Sequence, residues 1–572
     1  MRLSVTLAGF ILLPALCLAA EPLAFGSPAP ELSFKDIRYL PKGWKDFGEK
    51  QAYVFAFVAL QDPESVKLIK QLAQYRDEMS DPRVEIAMVS VGTEDSINAA
   101  AAAAVRVNGR FTVLKDRLAS AATALGVTQT PTVVVVGGNR RLAYRGSLEN
   151  ARKMVDSLVL GQEVQIALDV ESGREIVVRE APERDVNYAE HVAPIVKSYC
   201  GDCHREGRGT PLTLTSYDDV ASKANMIKEV ILEERMPPWY ASPAHKDFMN
   251  ARVLSQKEKD TIEQWVRGGK KMGDLSQAPT PPPPATSAWE IPEPDLVLQL
   301  PEVSEIPATG FVSYKYVTLP YQFPADTWIQ GLQILPTNSA VVHHANIAYS
   351  IVGGGYEEEA HFLTGYVPGG SPVNLTGPLA MLIPKNAVLT LQIHYVTTGK
   401  AETEQMKVGI RYAKAPVAKR VHYRRIRPDD ASIQIAPNDP FWRISAEWTM
   451  DRNATALALF THMHVRGRDM EFLADYPDGK QESLLLVPNY SFDWQLPYLY
   501  LPGAKQIPKG TKITTVSHYD NSPFNAYNPD PSRTVTYGDQ TVDEMNDAYI
   551  FYLDNDETLN IKVDPATGQA TG

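Results

Sequence analysis

The chain has 572 residues, of which 44% are hydrophobic and 22% charged, and it carries a formal charge of −12. That length exceeds what a single core supports, so about three or four domains are expected. The apolar and charged fractions are those of globular protein, and the acidic balance argues against nucleic acid as a partner, because phosphate binding needs basic surface.

Residues 1–20 read as a signal peptide: Arg2 supplies a positive start, Val5 to Leu18 is apolar, and Leu18-Ala19-Ala20 offers small residues for cleavage. An uncleaved anchor is the alternative. Leu16 is a poor residue before a lipidated cysteine at Cys17. No later stretch approaches the ~18 apolar residues a membrane span needs. The expected product is an exported, periplasmic or secreted bacterial protein without a transmembrane span. Cleavage removes one of the three cysteines, and the other two share one CxxCH, so none remains for a disulfide.

From 21 to 162, strand and helix patches alternate. Ala52 to Val58 and Val84 to Val91 predict buried strands, Asp95-Ser96 can cap a helix through Ala99 to Ala104, and Pro131 to Gly138 predicts a strand ending in a turn. The alternation points to a mixed sheet covered by helices. Leu125-Gly126-Val127-Thr128-Gln129-Thr130-Pro131-Thr132 resembles the cis-proline loop of thioredoxin-like and peroxiredoxin-like domains. The redox centre of that family should follow the strand near Ala59, where this chain has Leu60-Gln61-Asp62-Pro63-Glu64-Ser65 and no cysteine. The resemblance therefore implies a thioredoxin-like α/β domain without thiol chemistry, an adaptor.

A strand-rich connector spans 163–185, and 186–274 holds Cys200-Gly201-Asp202-Cys203-His204. In CxxCH two thiols add to haem vinyl groups while the histidine reaches the iron. A zinc site would need a second ligand pair; a reactive dithiol is the other alternative. The surroundings resemble a small all-α cytochrome c, with a leading helix Tyr188 to Ser198 and a closing helix Ser255 to Gly268 that presents Ile262, Trp265 and Val266 on one face. Met236, in Arg235-Met236-Pro237-Pro238-Trp239, matches the position of a sixth haem ligand; Met226, Met249 and His245 are rivals.

A Pro-rich linker (275–296) follows, with Pro281 to Pro284 of stiff polyproline character. Beyond Trp289 short β runs broken by Gly, Pro and Asn predict sandwiches to about 555, and 556–572 reads as a tail, frayed from Asp564. Three histidine sets stand out here. His462 and His464 flank Met463, and residues i and i+2 on a strand face the same side. Met545 would add a thioether, and imidazole with thioether favours copper. His343 and His344 are adjacent, so both can hold one metal only if their strand ends or bulges; His394 would be their third partner.

The order HH, H, HxH, M resembles the copper type II monooxygenases, the family of peptidylglycine hydroxylase and dopamine β-hydroxylase, over about residues 290–555. Thr461 to Arg468 and Thr541 to Met545 carry it most specifically. The resemblance implies two all-β, jelly-roll-like copper subdomains (297–415 and 416–555) facing across a wet cleft. The His343/His344/His394 copper would store an electron. The His462/His464/Met545 copper would bind O2 and hydroxylate a substrate C–H bond. The implied cofactors are two copper ions and one covalent haem c. The implied partners are O2, a small-molecule or peptide substrate, and an external donor, ascorbate-like or another cytochrome, feeding electrons at least partly through the haem. A copper and haem electron-transfer or copper-binding protein without hydroxylase activity is the alternative. Peptide-amidating members place an arginine two residues before HxH, where this chain has Phe460, which argues against a glycine-extended peptide. Tyr549 matches a family tyrosine near substrate and is equally a natural core position. His361, His422 and His518 fall outside the pattern and read as structural, although His518 could lie near the cleft. Arg420, Arg424, Arg425 and Arg427 form a basic run that could dock the haem domain or an acidic donor; a solvated strand face is the alternative.

Overall fold

The computed structural model describes residues 23–162, 173–179, 181–208, 210, 212–285, 287–352 and 361–571. The signal-peptide stretch lies outside the described residues, as does most of the connector. Among the described residues the packing separates 23–34, 42–92 and 116–178 from 35–41, 93–115 and everything from Arg179 onward.

The N-terminal region is built on a mixed sheet accompanied by helices. Ala52–Val58 lies parallel to Val84–Val91 and antiparallel to Thr132–Gly137, which pairs in turn with Leu142–Gly146. The complete sheet has seven strands in the order Pro41–Lys42, Phe34–Asp36, Thr112–Asp116, Val84–Val91, Ala52–Val58, Thr132–Gly137, Leu142–Gly146. All seven residues of Ala52–Val58 are buried, as a strand covered on both faces requires. Ser96 caps the helix Ile97–Arg106 by accepting from the Ala99 N–H. The Thr130–Pro131 bond is cis. After the strand Ala52–Val58, Asp62 accepts from the N–H groups of Glu64 and Ser65 and starts the helix Pro63–Glu78.

Between 181 and 285 the described residues form helices and no strand. Tyr188–Val192 is a wider helical turn that runs into the helix Ala193–Tyr199. Gln256–Arg267 starts in a capping box made by Ser255 and Glu258 and buries Ile262 and Trp265. The proline-rich linker is not a free spacer. The Ala285 N–H donates to the Glu206 carbonyl (2.9 Å), and a Cβ added at Gly201 would meet Pro282 Cγ at 2.8 Å. Glycine is thus required at 201 by the close approach of the linker.

From 296 onward the chain is β. A ten-stranded sheet passes through both predicted subdomains, joined by a parallel pairing of Leu379–Ile383 with Lys419–Ile426. Two four-stranded sheets accompany it. One has the order Lys315–Gln322, Ala387–Tyr395, Val342–Ile351, Phe362–Tyr366; the other has Trp442–Thr449, Lys512–Tyr519, Gly467–Asp475, Gln481–Val487. The core between the first of these and its half of the long sheet includes Ile329, Leu332, Ile347, Leu391 and Ile393.

The tail is not frayed among its described residues. The Trp328 N–H donates to Gly568 O (2.7 Å) and the Thr571 N–H to Lys562 O (2.8 Å), while Lys414 Nζ donates to Pro565 O (2.7 Å). Main-chain bonding of this kind is invisible to composition. Removing residues 564–572 leaves the buried Trp328 N–H unpaired and is expected to destabilise the β region by about 1–3 kcal/mol, read from a urea midpoint.

Candidate metal centre

His343 and His344 lie near the start of the strand Val342–Ile351, beside Ala387–Tyr395. The register pairs Val342 with Tyr395 and then His344 with His394, so two residues stand against one. This is a β-bulge, and it brings both adjacent imidazoles to one site. His344 and His394 are cross-strand partners, and the three residues offer ligand atoms within 4.8 Å of one another. His343 Nδ1 lies 3.1 Å from His344 Nδ1. One of the two carries a proton, or both lone pairs face a common cation.

The second set starts at the long sheet, whereas the first stands on a four-stranded sheet. His462 ends the strand Ala454–His462, opposite Asp547. His462 Nδ1 is 2.5 Å from Gln495 Oε1, and the Gln495 amide nitrogen donates to the Phe492 carbonyl (3.1 Å), which fixes the amide orientation. His464 Nδ1 is 3.1 Å from the Asp543 carbonyl. Both acceptors are oxygens that cannot donate here, so each Nδ1 bears the proton and each Nε2 keeps its lone pair. His464 Nε2 and His394 Nδ1 are buried without a hydrogen-bond partner. Buried ring nitrogens are normally satisfied, and an imidazole lone pair left free in this way fits a metal ion. Burial first, then the neighbouring rings, hold the His344 and His464 imidazoles well below the usual histidine range and His394 down to about 3, which keeps them neutral and able to ligate.

The two sets form one cluster and do not line a wet cleft. The His344 and His462 ring centroids are 5.7 Å apart, close enough to exclude a water layer between those rings. Phe492 stacks on His343 at 4.2 Å and lies 6.1 and 6.0 Å from His394 and His464. The sets stand on different sheets, and Phe492 bridges them. Met545 is buried, and its neighbours tie it to this cluster: Glu544 accepts the His464 and Arg466 N–H groups (2.8 and 2.7 Å), and the Tyr519 hydroxyl donates to the Met545 carbonyl (2.7 Å). Burial pushes the Glu544 carboxyl up to about 8.

Sequence reading missed Gln495, Phe492 and Glu544. Glu544 had a local signal, lying next to Met545. Gln495 and Phe492 had none, because a loop between strands delivers them. Replacing Gln495 with Leu frees the His462 ring to rotate and is expected to weaken any metal ion held by His462 about 10–100-fold, measured by competition with a chelator.

Phe460 and Tyr549 form the next rung on the same face as His462 and Asp547, with rings 5.8 Å apart. Tyr549 is 2% exposed and also packs on Phe362 at 5.2 Å, so it is core in this conformation. The basic run is not a solvated face throughout. The buried Arg425 donates to Asp547 (2.6 Å), and Arg427 lies over the Tyr537 ring at 4.6 Å, because alternate residues of that strand point inward. His361 and His422 stack on Tyr349 and Tyr552, and His518 Nδ1 meets Asp469 at 2.7 Å, away from the cluster.

In the helical region both described cysteines are free. The His204 N–H donates to Cys200 O (2.9 Å), closing the CxxCH turn. His204 Nδ1 lies 3.1 Å from the Leu212 carbonyl, so that nitrogen carries the proton and Nε2 keeps its lone pair. Neither thiol is in a disulfide, Cys203 Sγ accepts from Arg252 Nη1 (3.7 Å), and two such thiols with an imidazole so oriented fit a covalent haem. Met236 is half-buried and its N–H donates to Val230 O (3.2 Å), whereas Met226 and Met249 are exposed. His245 is spoken for: its Nε2 accepts from the Leu486 N–H (2.9 Å), and burial holds it down at about 4. The segment from Trp239 to Asn250 is bonded to the β region through Ser242 N–H to Leu486 O (2.8 Å), Met249 N–H to Leu499 O (2.8 Å) and Asn250 Nδ2 to Pro497 O (2.8 Å).

No protein-family model matches the sequence, and no curated protein matches it. Solved structures match over the N-terminal quarter. A hypothetical protein from Sinorhizobium meliloti 1021 is 20% identical, with 28% of this chain and 97% of that one covered and a TM-score of 0.27. A peroxiredoxin-like protein from Aquifex aeolicus is 18% identical, with 24% and 90% covered and a TM-score of 0.21. The thioredoxin domain of a thiol-disulfide oxidoreductase from Bacteroides vulgatus is 16% identical, with 23% and 99% covered and a TM-score of 0.21. No helix among the described residues is long and apolar enough to cross a membrane.

Proposed function

We propose that this chain is an exported copper-dependent monooxygenase that hydroxylates a C–H bond of an organic substrate with O2, drawing electrons at least partly through its own haem c. The observation that supports this most is the convergence of five imidazoles from distant strands, with buried ring nitrogens left free. His343, His344 and His394 would hold one copper; His462, His464 and Met545 would hold the other. Cys200, Cys203 and His204, with Met236 as sixth ligand, would hold the haem. When bound, the coppers and haem supply one-electron redox chemistry and O2 activation. Per turnover, one C–H and one O2 with two electrons and two protons give C–OH and H2O.

The protein's own part is positional. Gln495 and the Asp543 carbonyl fix two tautomers, and the bulge at His343 aims two rings at one point. Four of the five imidazoles are buried, and the half-buried His343 is covered on one face by Phe492. Two residues before His462, the half-buried Phe460 stands where peptide-amidating members of the resembled family carry a cation, with Tyr549 packed behind it, and Arg425 is held by Asp547. An apolar or aromatic substrate fits this better than a carboxylate.

A second reading, a copper and haem protein that transfers electrons without hydroxylating, is favoured by the closed contact between the two histidine sets. Substrate-dependent O2 uptake by protein holding two coppers and one haem separates the two. Uptake matched by hydroxylated product supports the monooxygenase; a metabolite screen that finds reduced haem but no coupled uptake favours the second reading.

A further inference from the structure

The stretch from Asp539 to Met545 is hydrogen-bonded to the strands of both histidine sets. At its start, the Tyr316 hydroxyl donates to Asp539 Oδ2 (2.9 Å) and accepts from Gln392 Nε2 (2.9 Å). Gln392 stands two residues before His394 on the strand Ala387–Tyr395, so the two side chains share a face. Thr541 Oγ1 lies 3.2 Å from His394 Nε2. At the other end, Arg466 Nη1 donates to the Val542 carbonyl (3.0 Å), His464 Nδ1 lies 3.1 Å from the Asp543 carbonyl, and Glu544 accepts the His464 N–H (2.8 Å). Thr541 and Asp543, two residues apart, thus each meet one nitrogen of an imidazole, one from each set. In both rings the opposite nitrogen, His394 Nδ1 or His464 Nε2, is buried without a hydrogen-bond partner.

We propose that the stretch 541–543 couples the two sets, so that a metal ion held by one raises the affinity of the other. The Asp543 carbonyl can only accept, so His464 Nδ1 bears the proton and Nε2 faces its ion. The Thr541 hydroxyl can donate or accept, and an ion at His394 Nδ1 settles which: Nε2 then carries the proton and donates to Thr541 Oγ1. That bond fixes Thr541, and with it the Asp543 carbonyl two residues on, which holds the His464 ring ready. The reverse path works equally, because a coupling free energy between two sites is reciprocal. This rests on the reading of the two sets as copper sites, and it adds that they fill together.

The test titrates full-length protein with cuprous ions under nitrogen, in competition with bicinchoninate. The coupling factor is the product of the two native binding constants divided by the product of the single constants of His343→Ala, which keeps the second set, and His462→Ala, which keeps the first. Repulsion between two ions held this close enters the factor equally in every variant, and a general loosening weakens paired and single constants alike, so the loop is read from the change in the factor. Thr541→Val, which keeps the shape and loses the hydroxyl, should lower the factor at least several-fold when introduced into all three backgrounds. Thr541→Ser, which keeps the hydroxyl, should restore it. Should Thr541→Val fail to take up copper, Tyr316→Phe decides, because it removes the Asp539 bond and leaves Thr541 and the ligand histidines in place; it too should lower the factor. A native factor in copper-binding Thr541→Val, or in Tyr316→Phe where that variant decides, overturns the coupling alone. Native protein that binds no cuprous ion overturns the coupling and the copper reading together.

Discussion

Glu544→Ala is expected to collapse the second histidine set before any chemistry is assayed. Its carboxylate is fully buried and accepts the main-chain N–H groups of His464 and Arg466. Alanine leaves both donors buried without a partner, at about 1–3 kcal/mol each. A loss of about 2–6 kcal/mol is large against the 5–15 kcal/mol that typically holds a domain together. The measurement is the urea midpoint of the metal-free protein, followed by copper content. Glu544→Gln keeps one carbonyl acceptor and should fall between the two. An unchanged midpoint in Glu544→Ala would show that water replaces the carboxylate and that the turn carrying His464 is held by other contacts.

The second large effect concerns ligation itself. Met545→Ala should abolish hydroxylation coupled to O2 uptake and leave the haem spectrum as it was. The expected copper content falls from two ions toward one, with His343, His344 and His394 still loaded. His343→Ala should do the reverse, emptying the first set and sparing the second. Product formation by Met545→Ala at the native rate would remove the thioether from the oxygenase proposal. Because Phe492 touches rings of both sets, double-variant cycles at this site are expected to be non-additive.

Much of the N-terminal region was legible because fully buried strands announce themselves as uninterrupted apolar runs: Ala52–Val58 and Val84–Val91 fall where the residues place them. The closing helix Gln256–Arg267 was equally plain, since Ser255 and Glu258 spell out its cap. The histidines were legible through spacing, and the adjacency of His343 and His344 itself required the bulge that is observed. What stayed hidden depends on contacts distant in sequence. Nothing local to Phe492 tells that its ring lies against imidazoles from two subdomains. Nothing in the proline run tells that it turns back onto the CxxCH loop. The closeness of the two histidine sets is hidden for the same reason, since Val342–Ile351 and Ala387–Tyr395 belong to one sheet and Ala454–His462 to another.

The parallel pairing of Leu379–Ile383 with Lys419–Ile426 constrains how the protein can breathe. Two sandwiches joined by a flexible strap could swing like jaws. Two sandwiches threaded by one hydrogen-bonded ladder cannot, because a wide hinge would tear rungs such as Leu379–Lys419. The segments 488–497 and 537–546, which carry Gln495, Phe492, Glu544 and Met545, lie outside that ladder, so the side chains packed around the imidazoles sit on stretches whose backbone the sheet does not hold.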